Sequence, residues 1–284
     1  MKESLNKILG REEHQNLISL DGKKLKFNRV LITGSEGSLG KELILRLENT
    51  FNGELLKTDI LGDSSYLDVT NPADVKEAIN DFQPDLIFHL AGAKHAPEGE
   101  VDTWRTLEIN TIGTKYILES IAELNNECKL VLASTCKAAN PEVVYGASKL
   151  ISERMVLNSG GSVARFFNVI ETAGNVFEIW SKIPENSPIE VASVCERHFI
   201  SLGESIGLLI YTAISEPGRF IVNSSALLKI SDVADRLYPN RKKTIINPRR
   251  GDRISEKFLS SSESIVEYQF ENSIIKVGNI HDHL

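Results

Sequence analysis

Two residues of one predicted helix, Tyr145 and Lys149, have the types and spacing that acid–base chemistry requires. Residues four apart on a helix share one face, so the phenol and the ammonium group are neighbours there. A phenol ordinarily titrates near pH ~10, and a neighbouring ammonium stabilises the phenolate and lowers its pKa. Tyr145 is therefore predicted to act as a base near neutral pH. Thr135, at the end of the preceding apolar strand, is predicted to hold the same substrate hydroxyl.

The elements that position these side chains are a buried strand and the helix that follows it. Residues 129–134 form an apolar run between turn residues, which is typical of a buried parallel strand. Asn140 is predicted to cap the helix, and Pro141 is predicted to occupy its first position. The pair of Tyr145 and Lys149 alone is a weak signal, because such pairs occur on the surface of many helices. Its meaning depends on a nucleotide site elsewhere in the chain.

Such a site is predicted where the apolar strand at residues 29–33 runs into the glycine-rich residues 34–40 and then a helical pattern. Glycines let the backbone turn tightly and approach a pyrophosphate, and the helix N-terminus offers free N–H groups. Asp59, at the end of the next strand, would bind ribose hydroxyls and repel a 2′-phosphate, which favours NAD over NADP. The predicted cofactor-binding residues are Gly34, Ser35, Glu36, Gly37, Ser38, Leu39, Asp59, Asp68, Val69, Leu90, Ala91, Gly92, Tyr145 and Lys149.

Alternating strand and helix patterns predict an α/β fold with a doubly wound parallel sheet, the Rossmann type. Beyond residue 166 the alternation weakens, although Ser231 is predicted to cap a helix there. We expect an N-terminal arm over residues 1–28, an NAD-binding Rossmann domain over residues 29–165 and a smaller C-terminal substrate-binding lobe over residues 166–284. The lobe is expected to be interleaved with the Rossmann domain.

Composition narrows the possible partners and compartment. The 284 residues include 32 basic and 39 acidic side chains, a net charge of −7, which argues against a nucleic-acid binder and gives no attraction to anionic membranes. The chain has no apolar run of ~18 residues and no signal peptide, which predicts a cytoplasmic protein without a membrane span. Cys128, Cys136 and Cys195 lack the spacing of a zinc site, so no metal is predicted.

An unusual concentration of arginine occurs between Arg249 and Arg253, with three arginines in five residues of an acidic chain. The segment is either a solvated charge run or a pyrophosphate clamp, since Arg binds phosphate oxygens in a fork. We favour the clamp, because the segment falls in the region expected to cover the carboxyl edge of the sheet. Lys94 and His95 follow a predicted strand at that same edge, where ligands bind in open parallel sheets.

Several motifs, in the same order along the chain, resemble those of the extended short-chain dehydrogenases. Within that group they resemble the UDP-N-acetylglucosamine 4,6-dehydratase family, also described as CapD-like polysaccharide-biosynthesis proteins. The motifs are ILGRE at residues 8–12, TGSEGSLG at 33–40, FHLAGAKHAP at 88–97, AANP at 138–141, YGASK at 145–149, RFFN at 165–168 and GDRISEK at 251–257. The resemblance covers almost the whole chain.

The resemblance implies an enzyme that uses bound NAD to dehydrate a UDP-sugar. Tyr145 would take the proton of the C4 hydroxyl while hydride passes to NAD, and Lys137, if neutral, would remove the C5 hydrogen. The C6 hydroxyl would then leave as water, and hydride would return to the sugar. A homodimer or larger homo-oligomer is also implied, with the helices at residues 103–124 and 140–158 pairing between subunits. The substrate-binding residues would be Lys94, His95, Asn168, Arg197, Arg253 and Glu256.

Cys136 departs from the family pattern, because it occupies the position of the aspartic acid that protonates the departing C6 hydroxyl. A free thiol titrates near pH ~8.5 and can donate a proton, whereas Lys137 beside it would favour the thiolate, which cannot. Three outcomes stay open: dehydration with a thiol acid, elimination that leaves a 5,6-alkene, or a C4 or C5 epimerase without elimination. A 4-keto-sugar reductase and a non-catalytic NAD-binding regulator are further alternatives, although such regulators typically lack the tyrosine and lysine.

Overall fold

The computed structural model describes residues 2–224, 226–249 and 251–280. In this described part the helices are α1 Lys2–Leu9, α2 Gln15–Ile18, α3 Ser38–Glu48, α4 Pro72–Phe82, α5 Ala96–Val101, α6 Thr103–Leu107, α7 Gly113–Ala122, α8 Val144–Asn158, α9 Val176–Lys182, α10 Leu202–Ile214 and α11 Ile230–Leu237. The strands are β1 Arg29–Thr33, β2 Glu54–Asp59, β3 Ser65–Tyr66, β4 Leu86–His89, β5 Lys129–Thr135, β6 Ser162–Phe166, β7 Asn168–Val169, β8 Ile189–Val191, β9 Glu196–Ile200, β10 Arg219–Val222, β11 Leu227–Lys229, β12 Lys243–Ile245, β13 Glu263–Gln269 and β14 Ile274–Asn279.

The predicted doubly wound α/β fold is confirmed by a large sheet whose nine strands, counted in the described residues, run in the order β13-β14-β10-β6-β5-β4-β1-β2-β3. Within this sheet, strands β1 to β6 and β10 pair in parallel, so their carboxyl ends share one edge. Side chains alternate between its faces: Ile32 packs in the core with α3 and α10, and Leu31 packs in the core with α4 and α7.

Beyond β6, part of the chain forms two smaller sheets, β11-β9-β7 and β12-β8, which pack with α9 and α11 around a separate apolar core. Trp180 and Phe199 lie in that core, and so do Ile8 and Leu9 of α1. The N-terminal arm therefore completes the core of the lobe. None of the helices in the described ranges is long and apolar enough to cross a lipid bilayer.

Four buried charges join α8 to the large sheet. The guanidinium group of Arg165 contacts Glu153 at 2.6 Å and Glu263 at 2.9 Å. That of Arg219 contacts the same two carboxylates at 2.9 and 3.0 Å. Because each charge has two partners of opposite sign, the cluster satisfies the condition under which buried charges are tolerated. We call these residues the buried tetrad.

The predicted starts of two helices are wrong. Helix α8 begins at Val144, not at Pro141, and its first N–H is capped by the Glu100 carboxylate at 2.8 Å, so Asn140 is not the cap. Helix α11 begins before Ser231, whose hydroxyl bonds to the neighbouring Asp232 carboxylate. The helix predicted at residues 103–124 is confirmed: α6, a π-helical turn and α7 follow one another without a break and end at Ala122.

The C-terminal hairpin of β13 and β14 lies where the sequence pattern predicted no strand. Strand β14 pairs antiparallel with β10, so residues from beyond the predicted boundary at 166 extend the large sheet. The expected division into arm, Rossmann domain and lobe therefore stays a prediction. Residues 1 and 281–284, at its outer limits, lie outside the described part of the chain.

Candidate active site

A first cavity of about 550 Å³ lies along the carboxyl edge of the large sheet, where β1, β2, β4 and β5 end. Its volume is in the range of ligand-binding cavities. The structure thus brings most predicted cofactor and catalytic residues together. Those that line this cavity are Gly34, Gly37, Ser38, Leu39, Asp59, Asp68, Val69, Leu90, Ala91, Gly92, Thr135, Lys137 and Tyr145.

The glycine loop between β1 and α3 has the geometry that a dinucleotide needs. Gly34 has φ +73°, and a Cβ there would lie 2.5 Å from the backbone nitrogen of Ala91. A Cβ at Gly37 would meet, among the described atoms, only the Gly34 carbonyl oxygen at 3.3 Å, and otherwise project into open space. Gly37 also precedes α3, whose first-turn N–H groups have no intrahelical acceptor. The loop therefore fits a pyrophosphate at this helix end.

Asp59 and Asp68 line the first cavity, but three of the predicted cofactor residues, Ser35, Glu36 and Lys149, do not. The Asp59 carboxylate accepts hydrogen bonds from the backbone N–H groups of Glu36 and Ile60, at 3.0 and 2.7 Å, which fixes it beside the loop. The side chains of Ser35 and Glu36 instead bond to Ser64 at 2.7 and 2.6 Å. Ser35 and Glu36 therefore support the loop from behind.

Tyr145 faces the first cavity together with Thr135. The prediction that its pKa is lowered is wrong, because burial raises the pKa of Tyr145 above its ordinary value. The Lys137 ammonium and the Thr135 side chain act in the opposite direction. Lys137 lines the same cavity, so its ammonium is among the groups that act on the phenol.

Lys149 lies beneath the cavity instead of lining it. Its ammonium donates to the Ala133 carbonyl oxygen at 3.1 Å and lies 3.0 Å from the position of a Cβ on Gly92. Burial lowers the pKa of Lys149 to about 8, and the carboxylate of Glu153 opposes that shift. Lys149 therefore supports the backbone floor of the cavity.

Lys137 belongs to a charged cluster that we call the Lys137 cluster, formed with Glu256, Asn168 and Arg197. The Lys137 ammonium lies 2.9 Å from the Glu256 carboxylate and 3.4 Å from the Asn168 amide oxygen. Asn168 donates to the other Glu256 oxygen at 2.6 Å, and Arg197 approaches Glu256 at 3.5 Å. Burial favours neutral Lys137, but Glu256 raises the pKa of Lys137 above its ordinary value. Lys137 is therefore an ammonium at neutral pH.

Cys136 lies in the apolar core with Val131 and Phe166, although Thr135 and Lys137 on either side of it reach the cavity. Its side chain is fully buried, and it lies outside the lining of the first cavity. Burial, followed by the Glu256 carboxylate, raises the pKa of the thiol to about 12. The alternative in which Lys137 lowers the pKa of the thiol and favours a thiolate is therefore wrong. The thiol is also not placed to donate a proton to a ligand in the cavity.

A second cavity, of about 480 Å³, extends the first one into the smaller sheets. Lys94, His95, Lys137 and Asn168 line both cavities, and Arg197 lines the second. The predicted substrate-binding residues Lys94, His95, Asn168 and Arg197 thus gather around one continuous space. Glu256 reaches that space only through its contacts with Lys137, Asn168 and Arg197.

The arginine-rich segment divides between surface and interior. The Arg253 side chain is buried, pairs with Glu142 at 3.2 Å and donates to the Asn140 carbonyl oxygen. Arg253 lines neither cavity, although the sequence predicted that it would face them. Its contacts with Glu142 and Asn140 instead anchor the segment that leads into α8. Arg249 does line the second cavity, where Asp252 contacts it at 3.1 Å. Arg250 lies outside the described residues.

Glu98 and Thr172 also line both cavities, and the sequence did not indicate them. Glu98 lies in α5, directly after the motif that contains Lys94, and Thr172 follows β7. Only their positions next to recognised motifs could have indicated these two residues. The residue type of Glu98 could not, because a glutamate in the first turn of a helix is common for electrostatic reasons alone.

The fold and the site together define a Rossmann-fold protein of the extended short-chain dehydrogenase/reductase superfamily. A family model described as "Polysaccharide biosynthesis protein" matches residues 47–277, so the chain belongs to that family. The resemblance inferred from the motifs is thereby confirmed.

Three known proteins illustrate the similarity. "Capsular polysaccharide biosynthesis protein CapD" of Staphylococcus aureus is 28% identical over 92% of this chain, which spans 50% of CapD. "UDP-N-acetylglucosamine 4,6-dehydratase (inverting)" of Campylobacter jejuni subsp. jejuni serotype O:2 is 28% identical over 87% of this chain and 82% of its own length. A Thermus thermophilus UDP-glucose 4-epimerase, solved in complex with NAD, has the same fold, with a TM-score of 0.70, 21% identity and coverage of 82% and 90%.

Proposed function

We propose that the chain is an NAD-dependent nucleotide-sugar dehydratase that acts on a UDP-N-acetylhexosamine. The reaction would oxidise C4, release the C6 hydroxyl as water and return the hydride to the sugar. The observation that supports this most directly is the junction of the first and second cavities at Lys137 and Asn168, with Tyr145 in the lining of the first. The similarity to the Campylobacter jejuni dehydratase, along most of both chains, supports the same reaction class.

The first cavity suits a dinucleotide because Gly34 and Gly37 leave room at the N-terminus of α3. Asp59, fixed at the cavity lining, would accept hydrogen bonds from ribose hydroxyls and disfavour a 2′-phosphate. NAD bound in this cavity would supply the hydride acceptor and donor for the sugar carbon. We therefore propose NAD as the cofactor and the second cavity as the binding site of the sugar nucleotide.

The side chains at the junction have separate tasks in this proposal. Tyr145 takes the proton of the C4 hydroxyl, which Thr135 helps to hold. Lys137 removes the C5 hydrogen, for which it must first lose its own proton. The proton taken from C5 then passes from Lys137 to the departing C6 hydroxyl, which leaves as water, because Cys136 is buried away from the cavity. The Glu256 carboxylate opposes the initial loss of the Lys137 proton, so we expect C5 proton removal to be slower than oxidation at C4.

A second candidate function is C4 epimerisation of a nucleotide sugar, and the position of Cys136 favours it. Elimination needs an acid for the departing C6 hydroxyl, and Cys136 occupies the position of that acid in the family motif. Its thiol is fully buried in the apolar core. Epimerisation at C4 needs only the base and the hydride carrier, both of which the first cavity can provide.

Incubation of the purified chain with UDP-N-acetylglucosamine and NAD, followed by mass measurement of the sugar nucleotide, tests both functions. Loss of one water supports the dehydratase, and an isomer of unchanged mass supports the epimerase. A preparation that gives neither product, while Tyr145→Phe behaves identically, would contradict both. NAD that stays bound through purification would argue against a simple reductase, which exchanges its cofactor at every turnover.

We also propose a homodimer or larger homo-oligomer formed through the helices α5 to α8. Val101, Trp104 and Ile151 are exposed on α5, α6 and α8, with 82%, 66% and 45% of their surface accessible. Burial of such side chains between subunits would stabilise an assembly. Light scattering at micromolar concentration should show a dimer or larger, and a monomer would contradict the proposal. The cytoplasmic location stays a prediction.

A further inference from the structure

Glu98 lines both cavities and is the only carboxylic acid to do so among the residues that the structure describes. The residue is exposed, and its side chain has no hydrogen bond or ion pair with any other described residue. The Glu256 carboxylate, in contrast, is buried and already contacts Lys137, Asn168 and Arg197. The Glu98 carboxylate is therefore the one that a ligand at the junction of the cavities would meet.

The helix α5 holds Glu98 beside the predicted catalytic residues. A Cβ on Gly99 would lie 3.7 Å from the backbone nitrogen of Tyr145, so this turn packs directly against the start of α8. The Glu100 carboxylate strengthens the same contact, because it accepts a hydrogen bond from the Val144 N–H group at 2.8 Å. Since the two residues that follow Glu98 are anchored in this way, the fold itself places Glu98 at the junction.

The part of a bound nucleotide sugar that would reach Glu98 is the sugar ring. In the proposed function NAD fills the first cavity and the sugar nucleotide fills the second, and hydride transfer requires the reacting carbons of the two ligands to be in contact. The sugar ring must therefore lie at the junction. The diphosphate belongs elsewhere in the second cavity, whose lining includes Arg197 and Arg249, because phosphates and the Glu98 carboxylate repel each other.

Two other charged side chains at the junction would attract an anionic sugar, since Lys94 and Lys137 line both cavities as Glu98 does. The Lys137 ammonium is offset by the Glu256 carboxylate at 2.9 Å. The Lys94 ammonium instead donates to the Ala173 carbonyl oxygen at 3.1 Å, which bears no net charge. Glu98 is therefore the group at the junction that opposes a carboxylate on the ligand.

We propose that Glu98 determines the sugar specificity of the site. Its carboxylate accepts a hydrogen bond from an uncharged sugar and disfavours a UDP-uronic acid, in which C6 is itself a carboxylate. The inference rests on the proposed function, because it assumes that a nucleotide sugar occupies the second cavity. A dehydratase substrate carries a C6 hydroxyl in any case, but C4 epimerisation is chemically open to either kind of sugar, and Glu98 restricts it to the uncharged one.

The test compares the binding of three ligands to the NAD-loaded protein by calorimetry: UDP-N-acetylglucosamine, its C6-carboxylate counterpart UDP-N-acetylglucosaminuronic acid, and UDP. The UDP measurement reports the contribution of the nucleotide, which all three ligands share. The wild-type protein should bind the uronic acid about tenfold or more weakly than UDP-N-acetylglucosamine, because like charges brought together at a binding site are strongly unfavourable. This preference should decrease at high ionic strength, since salt screens exposed charges.

Two substitutions separate the charge of Glu98 from its hydrogen bond. Glu98→Gln removes the charge and keeps an acceptor, so the preference should fall to about threefold or less while the affinity for UDP-N-acetylglucosamine changes by less than about twofold. Glu98→Ala removes both, so it should also weaken UDP-N-acetylglucosamine binding about fivefold. Glu267→Gln, on the edge strand β13 and in the lining of neither cavity, removes a negative charge elsewhere and should retain the wild-type preference.

Binding ratios and product formation separate this inference from the proposed function. A wild-type protein that binds both sugar nucleotides equally, or a preference that Glu98→Gln leaves unchanged, overturns the inference even if UDP-N-acetylglucosamine is dehydrated. The expected ratios support the inference even if the mass assay finds no product, a result that contradicts the proposed reaction alone. Failure of both sugar nucleotides to bind the NAD-loaded wild-type protein contradicts the inference and the proposed function together.

Discussion

The first and second cavities differ in how far apart in sequence their lining residues are. The glycine loop forms its part of the first cavity with consecutive backbone atoms between β1 and α3. The second cavity combines Lys94, Asn168, Arg197 and Arg249, which are far apart in sequence. A site formed by one local segment can be recognised from its residue spacing, whereas a site assembled from distant segments depends on packing that spacing does not specify.

Gly37→Val should produce the largest effect, because it tests the local site directly. A valine side chain would fill the space that Gly37 leaves at the N-terminus of α3. We expect NAD affinity to fall by about 100-fold or more, which is roughly 2.7 kcal/mol. Calorimetry measures the loss. The control is Gly160→Ala, in a turn that lines neither cavity: its φ of +80° makes the substitution strained, so stability can fall, but NAD affinity should stay unchanged. Unchanged NAD affinity would remove the glycine loop from the cofactor site.

Cys136→Asp tests the position at which the family motif and the packing of this chain disagree. The substitution restores the family residue but places a carboxylate in the apolar core, so we expect a loss of about 3–5 kcal/mol in the free energy of unfolding. Cys136→Ser should cost only about 1–3 kcal/mol and leave oxidation at C4 intact. Denaturant unfolding and the mass assay measure the two effects. A stable Cys136→Asp protein with faster water loss would show that this side chain reaches the substrate.

Arg253→Ala and Arg249→Ala separate an anchoring arginine from one that faces a cavity. Arg253→Ala should lower the free energy of unfolding by about 1–3 kcal/mol, because its buried hydrogen bonds near Asn140 and Glu142 are lost. Arg249→Ala should keep that stability and weaken sugar-nucleotide binding by about tenfold, the value of a charge-assisted contact. Thermal unfolding and calorimetry distinguish the two. If Arg253→Ala instead weakens sugar-nucleotide binding and Arg249→Ala lowers the free energy of unfolding, Arg253 is the arginine that binds the phosphates.

Ser201→Ala and Ser231→Ala give the smallest expected difference and test two capping signals outside the glycine loop. Ser201 forms a complete capping box with Glu204 at the start of α10, so its loss should cost about 1 kcal/mol. Ser231 lies inside α11 and bonds only to Asp232, so its loss should stay within about 0.5 kcal/mol. Denaturant midpoints compare the variants directly. Equal costs would mean that the Ser231 hydroxyl supports the helix in solution.

The parts of the fold that could be predicted are those in which hydrophobic pattern and turn residues agree locally. The apolar runs of β1 and β5, and the glycine loop, are of this kind. The hairpin of β13 and β14 could not be predicted, because its strands carry Glu263, Glu267 and Lys276 and its turn places Phe270 and Glu271 at positive φ.

The burial of charged side chains was the other feature that could not be predicted from the sequence. Arg165, Arg219 and Glu153 look like surface residues in sequence, since unpaired charges are rarely buried. Only the folded structure shows that they neutralise one another within the buried tetrad. The same reason applies to Glu256, which the family motif indicated as a substrate contact and which the structure places behind Lys137.

The buried tetrad has a consequence for the order in which the protein folds during synthesis. Arg165 and Arg219 leave the ribosome before Glu263, so for a time two guanidinium groups share the single carboxylate of Glu153. Burying them in that state would leave net positive charge inside the sheet, which is strongly unfavourable. We therefore expect the nascent chain to keep β6 and β10 hydrated until Glu263 emerges, and ribosome-bound chains that stop short of it should remain sensitive to proteases.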